Sequence, residues 1–64
     1  MTYEEIKTAI EREYKSKIES RVKVGWTEQK AERLAYQFAC GMAKAFRIAG
    51  LITVEQATDI VLDL

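Results

Sequence analysis

A chain of 64 residues makes one small domain, close to the lower size limit for folding without disulfides, metals or a partner. Hydrophobic residues make up 48% of it, too many for a disordered chain, and ten basic residues balance ten acidic ones, so no overall field draws it to nucleic acid or to an anionic membrane. The single cysteine excludes an internal disulfide, which favours a reducing compartment and predicts a cytoplasmic protein.

The first predicted element is a helix at about residues 3–22. Thr2 and Glu5 form a capping-box pattern, in which the two side chains satisfy free backbone N–H groups. The apolar residues that follow recur every three or four positions, as one face of a helix requires. They are Tyr3, Ile6, Ile10, Tyr14, Ile18 and Val22.

A turn in "KVGWT" separates this helix from a second at about residues 28–49. Gly25 can adopt the left-handed conformation that ends a helix, and Thr27 is a candidate N-cap. Trp26 and Ala31 have the spacing of a hydrophobic staple across that cap. Gly50 marks the end of the second helix.

The third predicted helix spans about residues 54–63, and Thr53 with Gln56 repeats the capping-box pattern at its start. Its predicted apolar face carries Val54, Ala57, Ile60, Val61 and Leu64. Connections this short favour a long antiparallel helical hairpin with a short third helix folded back on it. The sequence therefore predicts an all-α, single-domain three-helix bundle over residues 1–64.

The second helix carries a row of large apolar residues between two rows of small ones. The large row is Leu34, Phe38, Met42 and Phe46; the small rows are Ala31, Ala35, Ala39 and Ala43 on one side, and Gly41, Ala45 and Ala49 on the other. Small rows favour close packing of neighbouring helices. A Gly41→Leu substitution is then expected to overpack a helix contact and to cost about 1–3 kcal/mol.

The apolar arc of this helix covers about 240°, whereas a surface helix needs only about 100°. The third helix is about half as long as the second, so it reaches back only to about Ala39 or Phe38. Apolar surface left without a neighbour favours self-association, and we predict a homodimer that forms through the second helix. A compact monomeric bundle that shields the same residues is the alternative.

Six large side chains are the predicted contacts with a partner, since buried aromatic and apolar groups supply most interface energy. They are Trp26, Leu34, Tyr36, Phe38, Met42 and Phe46. For Leu34, Phe38, Met42 and Phe46, taken singly, packing in the core is the favoured reading. Trp26 and Tyr36 are the stronger surface candidates.

Charges are segregated between the second and third helices. Lys30, Arg33, Lys44 and Arg47 form the polar sector of the second helix, and Glu55, Asp59 and Asp63 form an acidic row on the third. Such rows can steer a charged partner or match one protomer to another, although solvated faces are the commoner explanation.

Basic residues around the first turn allow an alternative function in nucleic-acid binding, because cations there would contact phosphates. They are Lys15, Lys17, Arg21, Lys23, Lys30 and Arg33. Glutamates are interspersed among them, and no recognition-helix or base-stacking motif is present, so this reading is not favoured.

Catalysis is not predicted. The chain has no histidine, so the usual general base is absent and Cys40 has no imidazole partner. We expect Cys40 to be a small core residue. No glycine-rich phosphate loop or metal-ligand pattern occurs, and no cofactor or metal is predicted. The leading hypothesis is a small interaction protein that dimerises and binds a host protein to inhibit or regulate it. Its small size favours an origin in a phage or mobile element.

Overall fold

In a computed structural model that describes all 64 residues, the chain forms three helices. They are α1 (Tyr3–Lys23), α2 (Glu28–Ile48) and α3 (Val54–Leu62). The predicted all-α bundle is confirmed, and the bounds differ from the predicted ones by one residue at three helix ends. None of the helices is long and apolar enough to cross a membrane.

Each helix begins at a threonine N-cap, as predicted. The Thr2 hydroxyl accepts from the Glu5 N–H at 3.2 Å, and the Glu5 carboxylate accepts from the Thr2 N–H at 2.9 Å. Thr53 and Gln56 form the same reciprocal pair at 3.1 and 2.9 Å. Thr27 accepts from the backbone N–H three residues on. These bonds satisfy donors that a helix leaves free at its first turn.

Two glycines set the directions of the connections. Gly25 has φ +102° and Gly50 has φ +78°, in a region that other L-residues rarely adopt. Both follow a helix end, where a left-handed residue lets the chain turn away. The predicted roles of Gly25 and Gly50 are confirmed, and the turns bring α1 and α2 side by side as the closest-packed pair.

The centre of the bundle is the alanine row of α2. Ala31, Ala35, Ala39 and Ala43 are 0–2% exposed. Ile6 and Ile10 of α1 are fully buried, and they share one cluster with Ala39, Ala43 and, from the C-terminal part of the chain, Ile52, Ala57 and Ile60. Small side chains on α2 thus let large ones from its neighbours approach its backbone.

The second small row of α2 has no helix packed on it. Gly41, Ala45 and Ala49 are exposed, and a Cβ on Gly41 would meet no atom within 4 Å. The predicted tight contact at Gly41 is therefore wrong, and so is the overpacking expected of a leucine there. The reason is that α3 packs on the opposite edge of the alanine row, beside Cys40 and Ala43.

The predicted face of α3 also needs a correction. Ala57 and Ile60 are buried, and Val61 and Leu64 pack against the core, but Val54 is 62% exposed. Val54 lies in the first turn of α3, at the edge that borders α2 rather than the core.

Candidate interaction surfaces

More large apolar side chains are exposed than buried in this fold. Ile6, Ile10, Ile52 and Ile60 are the large buried ones, and the rest of the core is alanine. The exposed ones are Met1, Val22, Val24, Tyr36, Phe38, Ile48, Leu51, Val54 and Leu62. Single exposed apolar residues are normal, so what matters is whether these lie next to one another.

One continuous apolar surface runs along α2, and we call it the helix-2 stripe. Its members alternate at spacings of four and three, which keeps them on one side of a helix. They are Leu34, Phe38, Gly41, Ala45 and Ile48. Phe38 is 50% and Ile48 is 69% exposed.

Phe38 also carries a cation on its ring, since the Lys17 Nζ lies 4.3 Å from the ring centroid. The core packing favoured for Phe38 from sequence is therefore wrong. Met42 and Phe46, its neighbours in the large row, are partly buried and pack against the core, and Leu34 is partly buried.

A second apolar surface is a groove of about 390 Å³ between α2 and α3, which we call the α2–α3 groove. Tyr36 and Cys40 line it on α2, and Val54, Val61 and Leu62 line it on α3. Partial removal from water raises the pKa of the Tyr36 hydroxyl, and the neighbouring Cys40 thiol adds to that rise. Because residues two positions apart point to opposite sides of a helix, Tyr36 and Phe38 belong to different surfaces.

The α2 side of the α2–α3 groove is basic, whereas the exposed acidic side chains of α3 lie outside its lining. Lys44 and Arg47 lie along its α2 side. Glu55 and Asp59 are exposed on α3, on the turns that carry the groove residues Val54, Thr58 and Leu62. The groove therefore has a basic α2 side and an apolar floor.

None of these four charged side chains forms an ion pair within the chain. The structure holds a single ion pair, between the Lys7 Nζ and an Asp63 carboxylate oxygen at 3.4 Å. That contact belongs to the α1 side of α3 and raises the pKa of Lys7. Asp63, the third member of the predicted acidic row, is thus engaged elsewhere.

Trp26 is covered by two cations at the first turn. The Arg21 guanidinium lies 5.2 Å and the Lys30 Nζ 5.8 Å from its ring. Both distances are within range for cation–π attraction. The indole is partly buried, and the Nε of Arg21 is buried without a hydrogen-bond partner.

The other basic candidates are spread around the molecule. Lys15 lies on the outer face of α1 beside Glu11 and Glu19. Lys23 lies with Glu19 at the end of that helix, and Arg33 lies near Glu32 and Tyr14. Of the six basic candidates, the structure brings only Arg21 and Lys30 together on one group.

Sequence reasoning placed Val54, Ala57 and Val61 on one apolar face of α3, but it missed Leu62 and the groove that these residues form with α2. Leu62 is 73% exposed and lies outside the predicted apolar face of α3. A large apolar residue that does not fit the helical spacing was the signal in the sequence for apolar surface outside the core. No group of three His, Cys, Asp or Glu side chains lies close enough together to hold a metal ion.

Comparisons with protein-family models, with curated proteins and with solved structures found no significant match to this chain.

Proposed function

We propose that this protein is a small, non-enzymatic protein–protein interaction module that forms a homodimer and binds a second protein in the cytoplasm, which it inhibits or regulates. An origin in a phage or mobile element, inferred from size alone, stays a prediction.

The observation that carries the proposal is the excess of exposed over buried large apolar side chains, five of which lie in the helix-2 stripe or the α2–α3 groove. Neighbouring apolar groups left in water mark interaction surfaces, because covering them is favourable by about 25 cal/mol per Å². The helix-2 stripe suits a partner helix: Phe38 and Ile48 would supply large contacts, and Gly41 and Ala45 between them let a second backbone approach. We assign this stripe to the second protein.

An affinity capture with matched variants tests that assignment. Phe38→Asp places a charge in the middle of the stripe, and Ser16→Asp places the same charge on the outer face of α1, where Ser16 is exposed. Phe38→Asp removes a large apolar contact, and its carboxylate is costly to take out of water even beside Lys17, so this variant should lose the partner while Ser16→Asp keeps it. Circular dichroism of each purified variant confirms that the helices persist.

The expected result is one cellular protein recovered by the unmodified chain and by Ser16→Asp, and at least about tenfold less by Phe38→Asp. Purified partner must then bind the purified chain with the same rank order. Equal recovery by both variants would show that the stripe is not the binding surface.

A nucleic-acid-associated regulator is the second candidate, and the convergence of Arg21 and Lys30 on Trp26 is what favours it. Cations and an aromatic ring side by side are a common pattern in surfaces that bind phosphates and bases. Titration of duplex DNA, followed by Trp26 fluorescence at several salt concentrations, separates the two candidates. Binding that weakens steeply with salt and is lost in Arg21→Ala and Lys30→Ala would favour nucleic acid. Absence of binding at low salt favours the interaction module.

A further inference from the structure

We infer that the second protein docks an acidic amphipathic helix on the helix-2 stripe, with its apolar side over Phe38 and Ile48 and its carboxylates beside Lys30 and Lys44. This inference rests on the proposed function and adds the chemistry of the partner. Apolar contacts along such a helix supply affinity, and the charges beside them select the partner.

The helix-2 stripe has the spacing of a coiled-coil seam. Its five members follow one another at alternating intervals of four and three residues, from Leu34 to Ile48, and span about 21 Å. Phe38 is 50% and Ile48 is 69% exposed, while Gly41 and Ala45 between them leave room for the backbone of a second helix. A partner that covers the stripe along its length is therefore a helix with the same apolar repeat.

The α2 side chains next to the stripe, on the side away from α1, form what we call the basic row. It consists of Lys30, Gln37 and Lys44, which recur every seven residues and are all exposed. The Lys30 Nζ lies 5.8 Å from the Trp26 ring and Lys44 also borders the α2–α3 groove, but neither lysine forms an ion pair. Two free cations about 21 Å apart beside an apolar seam match a helix that has carboxylates two heptads apart.

The opposite side of the stripe, towards α1, carries a cation as well. The α2 side chains there are Ala35, which is buried, and Met42, which packs against the core. From α1, the Lys17 Nζ lies 4.3 Å from the centroid of the Phe38 ring. Glu32, the acid of α2 beyond its first turn, lies roughly 160° around the helix from the stripe. Cations therefore border the stripe on both of its long sides.

A second copy of this chain is a poor occupant of the helix-2 stripe. In an antiparallel pair of α2 helices, the basic row faces the same row of the copy, so lysines meet lysines or Gln37 in every register. In a parallel pair, the basic row faces the side of α2 that carries Ala35 and Met42, which is packed in the bundle and offers no carboxylate. Like charges in apposition cost free energy, so the basic row selects a partner whose flanking charge is acidic.

Two designed helical peptides of about 21 residues test the charge of the partner. Both have leucine at the seam positions, and the flanking positions are all glutamate in the acidic probe and all lysine in the basic probe. Repulsion between like flanking charges keeps each probe from pairing with itself. By fluorescence anisotropy of a dye on each probe, the acidic probe should bind the chain at least about tenfold more tightly than the basic probe.

Reversal of the basic row tests whether its lysines select the charge. Lys30→Glu with Lys44→Glu should bind the acidic probe about tenfold more weakly than the unmodified chain and should prefer the basic probe. Lys30 lies in the first turn of α2, where a glutamate is favourable, so the helix should keep its start. Circular dichroism checks folding, and Lys30→Gln with Lys44→Gln replaces the reversal if that variant unfolds.

A matched control separates this effect from overall charge. Arg12→Glu with Lys15→Glu makes the same charge change on the outer face of α1. At physiological salt, where distant exposed charges are screened, this control should bind the acidic probe within about threefold of the unmodified chain. Equal weakening by the control and by the reversed row would overturn the inference.

The remaining outcomes separate the inference from the proposed function. Preference for the acidic probe, its loss with Phe38→Asp and its reversal in the basic-row variant support the acidic helix. Equal binding of the two probes, binding of neither, or an unchanged preference in the basic-row variant overturns it. In those cases, a cellular protein that the unmodified chain captures and Phe38→Asp loses retains the proposed function. A chain that captures no cellular protein overturns both.

Discussion

Replacement of Ala35 by leucine tests the packing on which both surfaces depend. Ala35 is fully buried in the middle of the alanine row, where α1 approaches α2. A leucine adds three carbon atoms to a space that has no room for them, so α1 must shift or side chains must leave their preferred rotamers. Overpacking of this kind costs about 1–3 kcal/mol.

The magnitude is large for so small a chain. A domain of 64 residues is expected to have a free energy of unfolding of about 3–10 kcal/mol. In a domain of this size, each kcal/mol lowers Tm by about 4–8 °C. Ala35→Leu should therefore lower Tm by about 4–24 °C.

Ala45→Leu is the matched control, since Ala45 lies on the same helix but is exposed. Alanine and leucine have similar helix propensities, so this variant should change the free energy of unfolding by less than about 0.5 kcal/mol. Urea unfolding followed by circular dichroism, at low protein concentration, measures both variants. Equal stability of Ala35→Leu and Ala45→Leu would refute the packing of α1 on the alanine row.

Three further measurements probe the fold. Gly41→Ala should stabilise the chain by about 0.8–1 kcal/mol in urea unfolding, because Gly41 is exposed in mid-helix with open space around it; destabilisation would place a neighbour there. Ile10→Ala should cost about 2–5 kcal/mol by the same assay, since Ile10 is fully buried, and a cost below about 1 kcal/mol would contradict that burial. The Thr2 backbone N–H donates to Glu5 and lowers the pKa of that carboxyl. The Glu5 carboxylate therefore stabilises the fold above its unfolded-state pKa, and this stabilisation is lost as pH falls through the lower folded-state pKa. Thermal melts at pH 6 and pH 3 should then show a larger loss for the unmodified chain than for Glu5→Gln, which keeps the acceptor but does not titrate; equal losses would contradict the capping box.

The helix boundaries could be predicted because the signals are local. A threonine cap with Glu5 or Gln56 three residues on, or a glycine at positive φ, involves only neighbours in sequence, and these features form as expected. The choice between the two small rows of α2 is not local. Ala39 and Gly41 both suit a close contact, but only Ala39 is buried, in a cluster that α1 and the C-terminal part of the chain complete together.

The interaction surfaces could be predicted only in part. An apolar arc too wide for the chain's own helices indicated that some of α2 would be exposed, and Tyr36 and Phe38 are exposed. The structure divides them between two surfaces, because α3 borders Tyr36 and leaves Phe38 open. The groove itself is built from two helices, so neither its rims nor its floor exists in either segment alone.

The most direct test of the account is a dilution series of the unmodified chain, followed by amide chemical shifts in two-dimensional NMR. We expect the signals of Tyr36, Cys40, Lys44 and α3 to shift together with concentration and to give one dissociation constant, while those of the outer face of α1 stay fixed. Signals that do not move at any concentration, or that move only on α1, would contradict the claim that the chain forms a homodimer through exposed apolar surface on α2 and α3.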